Sequence, residues 1–267
     1  MAGGVGRVAL VTGAARGMGA ATVRRLASDG YAVLALDWCA GPESDPYPMP
    51  TKADLDTVVH DAAEGGAEVE AHVADVRDRA ALTDAVSAVV ERWGRLDAAV
   101  AAAGLVGGGR PLWDTPDDQL ELLWQANARG AWNTAAAAVP AMLTGPDPSG
   151  CRYVAVASAA GTHGLFHLAA YNAAKHAVVG IVRGLAADLV GTGVTAVAVS
   201  PGATATPMLA ETAALYPDAD VGELASHQLL RRPLQPDEIA STIAYCCSRD
   251  GAVLNGSVVH ADGGFRA

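Results

Sequence analysis

Seven short apolar runs rich in Val and Ala, at 7–12, 31–37, 68–73, 96–101, 152–157, 195–200 and 258–261, recur between longer stretches with helical spacing. Runs this short and continuously apolar read as strands buried on both faces. Strands alternating with helices read as a parallel sheet joined by right-handed crossovers. The expected architecture is a doubly wound α/β fold with seven strands, formed by one domain over 1–267.

Helix signals agree with this reading. Thr51 with Asp54 three residues later marks a helix start, Gly65-Gly66 marks its end, and 20–28 continues as a helix directly behind a glycine loop. The alanine run at 135–138 falls in a helical pattern and suggests close helix packing. Three stretches break the alternation: 38–50 with four prolines, 105–116 with three consecutive glycines, and the long mixed segment 203–236. All follow strands, at the carboxyl end of the sheet where such folds bind ligands.

Composition narrows the choice of partner. The chain has 267 residues, 51% of them hydrophobic, enough for a large core. Its net charge of -11 would repel nucleic acid and anionic membranes, leaving a small molecule as the expected ligand. Cys39, Cys151, Cys246 and Cys247 form neither a CxxC pair nor a disulfide framework, so reduced, buried thiols and no metal are expected. The N-terminal apolar run is too short to span a bilayer and has no signal-type cleavage region behind it. A cytoplasmic protein is expected.

The first strand runs into Thr12-Gly13-Ala14-Ala15-Arg16-Gly17-Met18-Gly19. Glycines there let the backbone approach a pyrophosphate, and the helix N-terminus behind them favours its charge. Asp37 ends the second strand about twenty residues on, where a carboxylate can accept from an adenosine ribose. Its charge opposes a 2′-phosphate and so favours NAD over NADP. Arg16 favours the reverse, and NADP-dependent ketone reduction is the alternative it keeps open.

Tyr171 and Lys175 are one helical turn apart on one face, and Ser158 ends the fifth strand near where that helix begins. Reversible alcohol oxidation needs a group that exchanges the hydroxyl proton. A phenol with a pKa of ~10 becomes a better base beside an ammonium, and a serine hydroxyl can stabilise charge on the substrate oxygen. Taken singly, Ser158 reads as a strand-end cap, Tyr171 as a partly buried aromatic, and Lys175 as a surface cation. Their order behind a nucleotide loop is what unites them.

The glycine loop, the order Ser158, Tyr171, Lys175, and Pro201-Gly202 after the sixth strand resemble the compact short-chain dehydrogenase/reductases over essentially the whole chain. That resemblance implies a Rossmann fold, an NAD-dependent enzyme acting on a secondary alcohol or ketone, and a homotetramer. It adds Asn127, otherwise an ordinary helix-interior amide, as a fourth catalytic residue supporting a proton relay to Lys175. The implied cofactor contacts are Gly13, Arg16, Gly17, Met18, Gly19, Asp37, Trp38, Asp75, Val76, Ala103, Gly104, Tyr171, Lys175, Pro201, Gly202, Thr204 and Thr206.

One departure is visible. The fourth strand ends in Ala101-Ala102-Ala103-Gly104, where the family has Asn-Ala-Gly, and loss of the amide at 102 predicts some loss of rigidity below the cofactor. A nucleotide-sensing protein without turnover is the rival reading this opens. The segment 38–50 is similar to the insert of the carveol-dehydrogenase-like, mycofactocin-associated branch. That similarity implies tightly held NAD and electron transfer to a redox peptide. The apolar character of 203–236 suggests an apolar substrate beneath it.

Overall fold

A computed structural model describes residues 6–40, 47–216 and 220–266. The portions of the two loop expectations at 41–46 and 217–219 lie outside the described residues. The strands are β1 (Arg7–Thr12), β2 (Tyr31–Asp37), β3 (Val69–Val73), β4 (Ala98–Ala101), β5 (Arg152–Val156), β6 (Thr195–Pro201) and β7 (Val258–Ala261). All seven join one parallel sheet in the order β3-β2-β1-β4-β5-β6-β7. The order reverses between β1 and β4, and the crevice at such a switch point is where doubly wound sheets bind ligands.

The two-residue period of each strand sorts its side chains onto two cores. Val8, Leu10, Leu34, Ala99 and Tyr153 pack on one face against α3 (Arg79–Trp93), α5 (Gly130–Thr144) and α6 (Ala169–Asp188). Ala9, Val11, Val33, Val100 and Val154 face α1 (Gly17–Ser28), α2 (Lys52–Ala63) and α9 (Pro236–Cys247). Both faces being covered explains why the five inner strands read as continuous apolar runs, whereas the edge strands β3 and β7 carry exposed positions.

Local departures have physical causes. Strand β4 spans Ala98–Ala101, and just before it the Asp97 carboxylate accepts Val8 N–H at 2.8 Å and pairs with Arg95 at 2.6 Å. Helix α1 starts at Gly17, and α2 has the capping box predicted from Thr51 and Asp54. The stretch 203–236 is not one loop: it holds α7 (Pro207–Ala214) and α8 (Val221–Ser226). Between α4 (Asp117–Leu123) and α5 the chain makes a π-helix, Trp124–Arg129, that no periodicity announced.

Candidate active site

The glycine loop is shaped by close approach of backbone to backbone. Gly13 has φ 68°, and a Cβ on it would lie 2.7 Å from the Ala103 backbone. At Gly19 a Cβ would meet Gly13 O at 2.0 Å. Helix α2 is capped by Thr51 and α3 by Asp78, but α1 has no side-chain cap and no acid in its first turn. Its N–H groups therefore face the crevice without a carboxylate in competition, the arrangement a pyrophosphate needs. Asp37, 8% exposed, stands at the end of β2, where its carboxylate accepts Ala15 N–H and Cys39 N–H, each at 3.0 Å.

Arg16 lines the crevice and is also engaged by the insert. Its guanidinium donates to Pro48 O at 2.7 Å and sits 5.6 Å from the centre of the Tyr47 ring, so it fastens the insert to the glycine loop. Tyr47 itself is buried among Leu105, Val106 and Leu123, and its phenol oxygen accepts Val106 N–H at 3.3 Å. Met49 and Pro50 line the nucleotide crevice. Residues 47–50 thus run from the glycine loop to the cluster that holds Leu105, Val106 and Tyr171. Arg77, which no motif singles out, stacks 4.4 Å over Trp38 and pairs with Asp75 at 2.6 Å.

The expected weakness at Ala102 is offset from β1. Thr12 Oγ1 accepts both Ala102 N–H, at 3.2 Å, and Ala103 N–H, at 3.3 Å, and donates to Val100 O at 3.4 Å. The end of β4 is therefore tied to its neighbour without a side chain at 102.

The catalytic candidates converge. Strand β5 delivers Ser158, whose Oγ accepts Ala160 N–H at 3.1 Å, leaving its proton to donate to the nearby Tyr171 phenol. Tyr171 and Lys175 lie on successive turns of α6, both buried, with Lys175 Nζ 5.8 Å from the ring centre and donating to Val156 O at 3.0 Å. Asn127 sits in the π-helix, a geometry frequent at functional sites. Its amide donates to Leu105 O at 3.0 Å and Leu123 O at 2.9 Å, and its Oδ1 accepts Leu105 N–H at 3.3 Å. Both amide hydrogens are committed, so any relay through this side chain uses it as an acceptor. A Cβ at Gly104 would lie 2.5 Å from Asn127 Oδ1 and 3.5 Å from Lys175 Nζ, so glycine there lets the two groups approach one loop.

Burial governs the protonation of this cluster. It pushes the Tyr171 phenol up to about 12, against the Ser158 hydrogen bond that lowers it and with the field of Tyr47 adding to the rise. Burial also pushes Lys175 down to about 8. Desolvation is the largest cause of both shifts.

The chain matches the family described as enoyl-(acyl carrier protein) reductase over residues 13–266. It is 36% identical to an NAD-dependent oxidoreductase of Mycobacterium tuberculosis, covering 97% of this chain and 95% of that one. With (-)-trans-carveol dehydrogenase of Rhodococcus erythropolis it shares 32% identity over 97% of both chains. The crystal structure of carveol dehydrogenase from Mycobacterium avium in complex with NAD superposes with a TM-score of 0.91 and 30% identity, covering 97% of each chain. The chain is a short-chain dehydrogenase/reductase.

Two adjoining cavities in this dehydrogenase fold gather the candidates. The crevice over the sheet is lined by Gly13, Arg16, Gly17, Met18, Gly19, Asp37, Trp38, Asp75, Val76, Ala103, Gly104 and Thr206. The other, of about 630 Å³, is lined by Ser158, Tyr171, Lys175, Pro201, Gly202, Thr204 and Thr206, with an apolar wall from Leu165, Leu168, Met208, Leu209 and Tyr216. Asn127 lies behind the lining. Among the described residues no cluster of ligating side chains could hold a metal ion, and no helix is long and apolar enough to cross a membrane. The four cysteines are free; burial raises the thiols of Cys39, Cys151 and Cys246 to about 11 and Cys247 to about 12.

Proposed function

We propose that this protein transfers a hydride between NAD(H) and a secondary alcohol or ketone with an apolar body. The observation that carries the reading is Ser158, Tyr171 and Lys175 facing one largely apolar cavity that adjoins the glycine-loop crevice. NAD, when bound, supplies the hydride acceptor. The uncapped start of α1, the glycines of the loop and the Asp37 carboxylate fit a dinucleotide without a 2′-phosphate, and the engagement of Arg16 with Pro48 weakens the case for NADP. Tyr171 exchanges the proton of the substrate oxygen. Ser158 donates to the same oxygen and orients it. Lys175, anchored on Val156 O, keeps further N–H donors for the nicotinamide ribose, and Asn127 supports the proton path behind it.

The reading extends to slow exchange of the nucleotide and reoxidation in place by a redox peptide. Its support is the seating of Tyr47, Pro48 and Met49 against the cleft. A cytoplasmic homotetramer built from one domain per chain completes it, on the strength of the family.

The test is oxidation of a panel of apolar secondary alcohols with NAD, NADP and an artificial electron acceptor. NAD should give the higher kcat/KM, and Tyr171→Phe should lose at least about a hundredfold in kcat, the usual worth of a positioned acid/base. Undiminished turnover in the Tyr171→Phe protein would remove the assignment.

A further inference from the structure

The chain returns one aromatic side chain to the substrate cavity from its C-terminal turn, Phe265, which the proposed chemistry does not use. The turn is built to place it. After β7, Asp262 Oδ1 accepts Gly264 N–H at 2.9 Å and Phe265 N–H at 3.2 Å, while Gly263 and Gly264 take φ of 63° and 79°. The returning chain then pairs with the segment behind α8. Leu230 N–H donates to Gly263 O at 3.1 Å, Leu229 N–H to Gly264 O at 3.2 Å, and Arg266 N–H to His227 O at 2.9 Å.

The Phe265 ring meets His163 edge-on, with centroids 5.5 Å apart and planes at 61°, and lies 6.2 Å from the His227 ring. His163 belongs to the turn that begins at Ser158, where its N–H donates to Ala159 O at 2.9 Å. His227 ends α8. Phe265 therefore lines the cavity from between the turn after Ser158 and the end of α8, with a histidine ring on either side.

We propose that Phe265 is the specificity-determining end wall of the substrate cavity, its ring between His163 and His227 setting how large an apolar body fits. The inference rests on the hydride-transfer reading only for which end of the substrate reacts. A ring truncated to a methyl lengthens the cavity without touching Ser158, Tyr171 or Lys175. Larger bodies then gain buried surface, whereas small ones lose their contact with the wall.

The test uses Phe265→Ala and Phe265→Leu, with thermal unfolding to verify folding; Phe265→Leu keeps an apolar filler should the alanine protein fail to fold. Cyclohexanone, a decalone and a tetracyclic ketone are titrated calorimetrically into enzyme saturated with NAD, where no hydride is available and binding is read without turnover. The matching alcohols are then assayed for oxidation. The affinity ratio of decalone to cyclohexanone should rise by about tenfold in Phe265→Ala and by less in Phe265→Leu. An unchanged ratio, or no ketone binding to any of the three proteins, overturns the inference. If the ratio shifts but no alcohol is oxidised, the end wall stands and the hydride-transfer reading falls. If the alcohols are oxidised with the same size preference in all three, the end wall falls alone.

Discussion

Replacing Tyr47 by Phe removes one hydroxyl and keeps the ring that packs on Leu105, Val106 and Leu123. The hydroxyl accepts Val106 N–H at 3.3 Å, and Val106 is 4% exposed, so the substitution leaves a buried donor without that acceptor. Such a group costs about 1–3 kcal/mol, and the cost falls only on the state in which residues 47–50 are seated. If the nucleotide can leave only when this segment lifts, the lifted state gains by the same amount relative to the seated one. At about 1.4 kcal/mol per decade, release should accelerate about 5- to 150-fold. Association should change little, because retention acts on the departing complex rather than on encounter. The assay is displacement of bound NADH by excess NAD, followed by nicotinamide fluorescence. Release from Tyr47→Phe within twofold of the parent, with its fold intact, would show that this contact does not hold the nucleotide.

Two further predictions concern buried charge. Lys175 titrates near 8 in the folded protein against an ordinary 10.5, so between those values the unfolded chain holds a proton that the folded one lacks and stability rises with pH. Lys175→Met should therefore be more stable than the parent at pH 7, by at most about 3 kcal/mol, with the advantage fading towards pH 10 in thermal melts; a pH-independent difference would contradict the burial argument. Arg152, 2% exposed, donates to the carbonyls of Ser149, Cys151, Ser248 and Arg249 at the amino end of β5, opposite the end that leads to Ser158. Arg152→Ala should cost about 2–4 kcal/mol in urea unfolding while leaving the NADH dissociation constant unchanged.

What the sequence made legible follows from which forces are local. Strands β1 and β2 have the residue limits that their apolar runs predicted because their interiors are buried on both faces, and the edge strand β7 keeps its predicted limits although His260 is exposed. The loop glycines and the Tyr171–Lys175 spacing were legible for the same reason: close backbone approach and a shared helix face are fixed by a few neighbouring residues. Arg16 was not. Its side chain reaches Pro48, and nothing in its local sequence distinguishes that contact from a phosphate contact. Arg77 is equally mute, since its stacking on Trp38 depends on β2 and the segment after β3 arriving side by side. The π-helix around Asn127 carries no periodic mark because it is a single widened turn.

Tyr47 joins two sites that the sequence keeps apart. Its ring lies against the Arg16 guanidinium of the glycine loop, and its phenol holds the peptide of Val106. The neighbouring peptide, Leu105, exchanges two hydrogen bonds with the Asn127 amide. The insert, the loop after β4 and the π-helix are thus bonded in series, ending beside Lys175. A displacement of Tyr47 would therefore reach Asn127 through two intervening residues, Val106 and Leu105. It would also change the environment of Tyr171, whose phenol is raised in part by the Tyr47 field. If residues 47–50 retain the nucleotide as proposed, retention and proton chemistry would be coupled here, because Tyr47 bonds the peptide unit that also holds the Asn127 amide. The coupling requires that Tyr47→Phe, besides hastening release, alter the pH profile of turnover, whereas a contact serving retention alone would leave that profile unmoved.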